Sequence, residues 1–433
     1  MSGNHHFTYI IIIMLCMMVS SGYAQPIPDT LMMSRTEAEA TFLQRNLRLL
    51  AGRLNIDEAK AQVIQAKLWP NPSLSVSEVN LWSNHGAEAL GRISANWGNH
   101  AQVAVDIEQL ILTAGKRKKL IAVEETGVAI AEQEFEDLLR SLKVEFREQL
   151  AELHRTQQAI AIHRQALGQL QQLLSGYQRQ VQAGHVSRSE YMRLKVSEVE
   201  LMKTIDDIRR ENGEAQRALK ALMGIAPQHA LMLADAHVPD IPVNAIKALD
   251  VSTVAEWVQS HNAALKAMQL GTTQAEHNLS YERAQRVPDL TLSAGYDRGG
   301  NIMRDFVGIG LSIDLPFFHR NQGQIKAAQL QVEQHRLLAE NTKNEITAAA
   351  VQAWKDLLNT IDRKEHIGTG YDTDMAKLLE GYHNSFAQRH ISLLEYLDFL
   401  DAYLTTKANL LETDKELLMQ YETLRYHVGD QLP

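Results

Sequence analysis

The sequence predicts a mainly α fold with a four-stranded β contribution, and three observations carry that prediction. Proline-free stretches of coiled-coil spacing fill most of the chain, four short segments alternate apolar with small or polar residues, and the chain repeats itself. Each element follows from one of these.

The long helices come first. From Lys116 to Ala183 there is no proline, and apolar residues recur at threes and fours: Leu139, Leu142, Phe146, Leu150, Leu153, then Leu167, Leu170, Leu174, Tyr177 and Val181. That spacing fits a coiled-coil seam, and at about 1.5 Å per residue such a helix spans roughly 100 Å. Further helices are expected over about 187–224, 322–387 and 391–428, with "HIGTGYD" (His366 to Asp372) as the place where the third breaks or kinks. A seam of this kind supplies length and rigidity, not chemistry.

The strands are expected over about 73–81, 102–112, 290–296 and 306–318. In "VGIGLSIDLPFF", Val307, Ile309, Leu311, Ile313 and Leu315 share one parity. Gly308, Gly310, Ser312 and Asp314 share the other, which is poor material for a core and suits a water-filled barrel lumen. Pro316 is expected to end the ladder, and Trp82, Trp97 and Tyr296 lie near strand ends as candidates for an interfacial girdle. Strands facing lipid must have no free edge, and bacterial barrels need about eight or more of them. Four cannot close a barrel, so several chains must share one.

The repeat sets the organisation. "AKLWPNPSLSVS" (Ala66 to Ser77) aligns with "AQRVPDLTLSAG" (Ala284 to Gly295), matching Pro70 to Pro288 and Leu74 to Leu292. "VAVDIEQLIL" from Val103 aligns with "IGLSIDLPFF" from Ile309. Tyr177, Ser187, Glu190 and Tyr191 meet Tyr382, Ser392, Glu395 and Tyr396 at an offset of 205. The expected organisation is a signal peptide over 1–24, a first repeat over 25–226, a linker or small side structure (an equatorial segment) over 227–251 and a second repeat over 252–433. The linker reading rests on Pro227, Pro239 and Pro242.

The apolar run from Tyr9 to Val19, followed by Gly22 and Ala24, reads as a secretory signal cut after Ala24, although its first residues hold no Lys or Arg. Cys16 lies inside it and is the only cysteine, so the exported chain would hold no disulfide, zinc-thiolate site or thiol nucleophile. A formal charge of −9 gives no reason to expect a nucleic-acid surface. There is no phosphate loop, "GxSxG" or "HExxH", so no catalytic residue and no cofactor is expected. The histidines are scattered: His154 and His163, or His383 and His390, do not share the spacing of ligands on adjacent turns, and no metal site is expected.

Signal, duplication, paired strands and long helices together resemble the TolC-like outer-membrane efflux family. The marks are "PNPSLSVSEVN" from Pro70, "EQLILTAGKRKK" from Glu108, "VPDLTLSAGYDRGGN" from Val287 and "GLSIDLPFFHRNQGQI" from Gly310, with the turns "AGHVSRSEY" and "RHISLLEYLDF". The first two look most like the CzcC/CusC-like heavy-metal (cation) branch. The resemblance implies a homotrimer whose twelve strands form one outer-membrane β-barrel, continued through the periplasm by a coiled-coil α-barrel. It implies a passive conduit that receives its substrate from an RND-type inner-membrane efflux pump through a periplasmic adaptor protein.

The resemblance also places sites. An acidic pair after the second tip turn maps onto Glu395 and Asp398, with Glu190 as first-copy counterpart and Asp401 one turn on; rings of these carboxylates would form a cation-attracting periplasmic entrance. Gly184, Val186 and Ser187, with Arg389, Ile391 and Ser392, would form the adaptor-docking tip turns. The family's Tyr and Arg gate positions correspond to Phe386 and Ile391, and Arg389 stands where a glycine is usual. Two other readings stay open from sequence: a periplasmic adaptor with one helical hairpin, and a soluble periplasmic coiled-coil scaffold.

Overall fold

The computed structural model describes residues 30–77, 103–234, 240–298, 305–368 and 370–432. The signal segment, Cys16, Trp82, Trp97, Pro239, residues 78–81 and 102 of the expected strands, and the whole of the first strand–strand loop lie outside them. Backbone contacts divide the chain into two units, residues 1–46 with 152–237, and residues 47–151 with 238–433.

In the first unit, β1 (Thr30–Met33) pairs in parallel with β4 (Ala230–Leu233), placing Thr30 beside Ala230 and Met33 beside Leu233. Gln157 clamps β4 by donating to the Leu231 carbonyl (3.1 Å) and accepting from the Leu233 amide (3.3 Å). α1 (Arg35–Arg45) begins at a capping box in which Ser34 and Glu37 satisfy each other's backbone amides. The unit also holds the C-terminal part of α3 (Lys116–Gln182) and α4 (Arg188–Met223). α4 buries Leu194, Leu201, Ile205, Ile208, Ala215 and Leu219, a stripe at threes and fours. The α3 side of the seam is Leu153, Thr156, Ala159, His163, Ala166 and Leu170, and Asn212 ties it to α4 by donating to Thr156 Oγ1 (2.9 Å). His163 Nδ1 sits 2.8 Å from the Ala159 carbonyl, so this buried ring nitrogen is used by its own helix.

The second unit holds α2 (Leu47–Lys67), the N-terminal part of α3, all four strands of the larger sheet, and the helices from α5 onward. Those helices are α5 (Val243–Lys247), α6 (Val251–His261), α7 (Ala263–Ala284), α8 (Gln322–Ile367), α9 (Tyr371–Ala387) and α10 (Leu393–Val428). Their core gathers Val254 and Val258 of α6, Trp354 and Leu357 of α8, and Leu417 and Leu424 of α10. Trp354 donates its indole N–H to the Ile246 carbonyl (3.3 Å), which satisfies the polar edge of a buried ring.

The third long stretch breaks at the expected place, within His366 to Asp372. The 322–387 stretch is two helices, because Gly368 (φ 80°) and Gly370 (φ 96°) adopt backbone that other residues resist. The described residues of 227–251, expected as a linker or small side structure, contain β4 and α5. Among the described residues no helix is long and apolar enough to cross a membrane.

Candidate functional site: an exposed apolar sheet and two tip turns

The larger sheet has the order β2–β3–β5–β6, formed by β2 (Ser73–Ser77), β3 (Ala104–Ile111), β5 (Leu290–Asp297) and β6 (Phe306–Ile313), every pair antiparallel. Its central pair, β3 with β5, joins the two copies of the repeat. The register sorts its residues into two faces. One runs across Leu74, Ile107, Ala294 and Ile309, with Val76, Val105, Tyr296 and Val307 as the row to one side. On the other side the rows contain Leu292 with Leu311, then Ile111, Leu290 and Ile313. Gln109 interrupts this apolar face, and its amide is turned to the Pro70 and Leu110 carbonyls (both 2.9 Å). Tyr296 ends the face with its hydroxyl donated to Asp305 (2.6 Å).

The opposite face is small and polar. Ser75, Asp106, Gly295 and Gly308 form one row, and Ser73, Glu108, Ser293 and Gly310 the next. The glycines leave room for polar side chains: a Cβ on Gly295 would push the Asp106 carboxylate aside, and one on Gly310 would lie 2.5 Å from Ser293 Oγ. Ser312 shares this face. Asp314 does not, because the last paired residue is Ile313, opposite Leu290. The expected strand to Phe318 therefore stops short. Asp289, just before β5, is committed to Lys116 and Thr113, and Pro316 sits inside a tight turn in which the Phe317 amide donates to the Leu315 carbonyl (2.9 Å).

The apolar face is uncovered. Ile309 is 89% exposed, with Val307, Leu311 and Leu74 also well above half. A side chain of this size is worth about 1.5–3 kcal/mol when taken out of water, so a row of them demands an apolar partner. Both outer strands, β2 and β6, also have an edge without a partner strand among the described residues.

The two tip turns repeat one geometry at the offset of 205. In the first unit, Gly184 (φ 77°) donates to the Val181 carbonyl (3.1 Å) and His185 to the Gln180 carbonyl (2.9 Å). In the second, Arg389 (φ 61°) donates to Phe386 (2.9 Å) and His390 to Ser385 (2.9 Å). This is the left-handed C-terminal cap of a helix, with glycine in one copy and arginine in the other. Val186 and Ile391 follow, then Ser187 and Ser392, which cap α4 and α10 by accepting from the Glu190 and Glu395 amides (both 3.3 Å).

Glu395, Asp398 and Asp401 share one exposed face of α10. Glu395 has a second task that sequence reading missed. Its Oε2 accepts from the Ser392 amide (2.7 Å) and hydroxyl (2.8 Å), completing a capping box. Those bonds, the backbone one foremost, hold its carboxyl below the usual range, so it stays ionised. "SLLE" carries that capping signature and could have been read as such. Asp398 and Asp401 make no ion pair among the described residues. Glu190, in the other unit, does not fold back; Ser187 Oγ instead lies 2.9 Å from Ser189 Oγ.

Behind the acidic face, α10 packs on α9 through aromatic rings. Tyr396 stacks on Phe386 (centroids 5.0 Å apart) and Tyr382 on Phe399 (4.0 Å). Tyr396 is fully buried, which pushes its phenol up to about 12, and His383 Nδ1 reaches its hydroxyl at 3.4 Å. Phe386 is thus a packing residue of this pair. The arrangement offers a standing row of negative charge and, on the sheet, one exposed apolar face and one small, polar face.

Residues 40–225 and 255–430 each match the outer membrane efflux protein family, one match per copy of the repeat. The chain belongs to that family. The cobalt-zinc-cadmium resistance protein CzcC of Cupriavidus metallidurans is 24% identical over 83% of this chain and 80% of its own length. The nickel-cobalt-cadmium resistance protein NccC of Alcaligenes xylosoxydans is 23% identical over 72% of this chain and 68% of its own. Among solved structures, CusC, described in terms of transmembrane channel formation, superposes with a TM-score of 0.71 at 16% identity, covering 92% of this chain and 93% of its own. The fold is that of the TolC-like channels, and this outer membrane efflux protein is a channel component of an efflux system located in the outer membrane.

Proposed function

We propose that three copies of this chain assemble into one twelve-stranded barrel in the outer membrane, and that the tunnel below it passes heavy-metal cations delivered by an RND-type pump and a periplasmic adaptor. The observation that carries the reading is the uncovered apolar face of a four-stranded sheet whose two edges have no partner strand among the described residues. Lipid satisfies the face, but only closure satisfies the edges. β2 and β6 run antiparallel to each other, so β6 of one copy can add to β2 of the next without breaking the up-and-down order. The two edges differ, which makes the contact head-to-tail and ring-forming. Gly308, Gly310 and Ser312 then face the lumen.

The cation cargo is supported by the resistance functions for which CzcC and NccC are named. In this reading Asp398 and Asp401, with Glu395 and Glu190, ring the periplasmic entrance and raise the local cation concentration. The turns at Gly184–Ser187 and Arg389–Ser392 meet the adaptor. The chain makes and breaks no bond; energy enters at the pump.

The entrance is tested with Asp398→Asn and Asp401→Asn in planar bilayers, leaving the Glu395 cap intact. Loss of cation preference and of block by multivalent cations is expected. Unchanged currents would remove both residues from the constriction. Cargo is tested by matched efflux of divalent metals and organic drugs, where a preference for drugs would overturn the metal reading.

A further inference from the structure

A cleft of about 240 Å³ lies at the helix end of the sheet, between the close of α2 and the opening of α3. Leu68, Trp69, Leu112 and Leu120 give it apolar walls, and Arg117 and Tyr281 add polar groups. Trp69 is 58% exposed although it is a large apolar ring. The Arg117 guanidinium sits 4.6 Å over that ring and donates through Nε (3.0 Å) and Nη2 (2.7 Å) to the Lys67 carbonyl. Gln109 of β3 holds the Pro70 carbonyl, so this segment is fixed to the end of the sheet.

The charge around the cleft opposes that of the chain. The sequence carries a formal charge of −9, yet "KRKK" occupies 116–119 beside it. Lys116 is buried against Asp289 (2.8 Å) and is structural. Lys118 is exposed, as are Arg283 and Arg286 near the end of α7, and none of these three makes an ion pair among the described residues. Three nearby carboxylates are occupied: Asp289 by Lys116 and Thr113, Glu282 by Asn321 (2.6 Å), Glu125 by Lys67 (3.5 Å). At the same end, Phe317 and Phe318 after β6 are exposed, Phe318 at 95%.

We infer that this cleft binds the headgroup region of an anionic phospholipid from the leaflet on the helical side of the membrane, with the lipid's glycerol and upper acyl chain against Leu68 and Trp69 and its phosphate at Arg117, within the positive field of Lys118 and Lys119 on the same helical turn. The inference rests on the sheet lying in the membrane, and adds a lipid site to it. The position fits, because the row Ile111, Leu290 and Ile313 ends the apolar band and the cleft begins directly beyond it. An exposed Trp beside basic side chains at that level is how a protein meets headgroups, and each Lys or Arg near an anionic surface is worth roughly a five-fold change in partition.

The test uses the full protein in vesicles of phosphatidylcholine with 10 mol% phosphatidylglycerol, with brominated acyl chains on one lipid at a time at equal bromine content. The difference between wild type and Trp69→Phe isolates the Trp69 fluorescence from that of the other tryptophans. Brominated phosphatidylglycerol should quench that signal several-fold more than brominated phosphatidylcholine. K118Q/K119Q, which leaves the Arg117–Trp69 stack untouched, should bring the two to parity. Equal quenching in the wild type overturns the inference, since the cleft then meets lipid without selecting charge. Absence of quenching by either also overturns it, and indicates that another copy covers the cleft. Protein that fails to float with the vesicles removes the membrane placement as well, which separates the two failures.

Discussion

Asn46 and Asn262 perform the same task in the two copies of the repeat. Each is buried, each ends one helix and opens the next, and each donates its side-chain amide to a carbonyl near the end of a later helix. Asn46 donates to Leu222 (2.9 Å) and Asn262 to His427 (3.1 Å), acceptors separated by the same 205 residues as the tip turns. Glycine follows each acceptor closely, Gly224 with φ 61° and Gly429 with φ 80°. The duplication thus extends to the hydrogen bonds that fasten helix ends.

Asn262 also caps α7, accepting from the Leu265 amide (2.9 Å). Asn262→Ala removes that cap and leaves the half-buried His427 carbonyl without this donor. A loss of about 2–3 kcal/mol is expected from the denaturant midpoint in detergent. Asn262→Asp keeps the cap acceptor but sets a charge against the carbonyl, and should cost more than the alanine.

Arg389 holds a backbone conformation that glycine fills in the other copy. Left-handed backbone costs an L residue about 1–2 kcal/mol. Arg389→Gly should therefore raise stability by about 1 kcal/mol, and Gly184→Ala should lower it by a similar amount. A destabilising Arg389→Gly would mean that the arginine side chain contributes more than its backbone costs.

Lys116 and Asp289 join the end of β3 to the start of β5, with the lysine side chain only 5% exposed. Removing one member of a buried pair costs about 3–5 kcal/mol, because the other charge is left unpaired. Lys116→Met should show that loss, and K116M/D289N should recover much of it. Additive losses in the double-mutant cycle would contradict the coupling.

His427 is held below the usual histidine range by burial, and the Asp137 charge only partly offsets this. The folded state therefore favours the neutral ring. Its contribution is complete above the unfolded value near 6.5 and is lost as pH falls through the lower folded value. The thermal midpoint of the wild type should drop faster below pH 6.5 than that of His427→Gln. Parallel curves would remove this histidine from the acid response.

Periodicity made most of this legible. The α3 seam and the alternating faces of β3, β5 and β6 follow from spacing alone, and the 205-residue offset located both tip turns. Short-range geometry was harder to read. Ile313 ends β6 because β5 begins at Leu290, a pairing fact that the alternation through Leu315 does not contain. β1 and β4 are four residues each and lie far apart in sequence, so neither announces its partner. Glu395 was legible as an acidic position, but its bond to Ser392 gives it a structural duty that only its rotamer reveals.

The central claim is that copies join through the edges of β2 and β6, three to a ring. Val76→Cys on β2 and Ile309→Cys on β6, placed together in the exported chain, can be bridged in native membranes by a short bifunctional thiol reagent. The expected result on denaturing gels is a covalent ladder that closes at three chains, with single-cysteine proteins mixed in one membrane yielding dimers only. A ladder that closes at another number, or single cysteines that link as readily to themselves as to each other, would contradict the shared barrel.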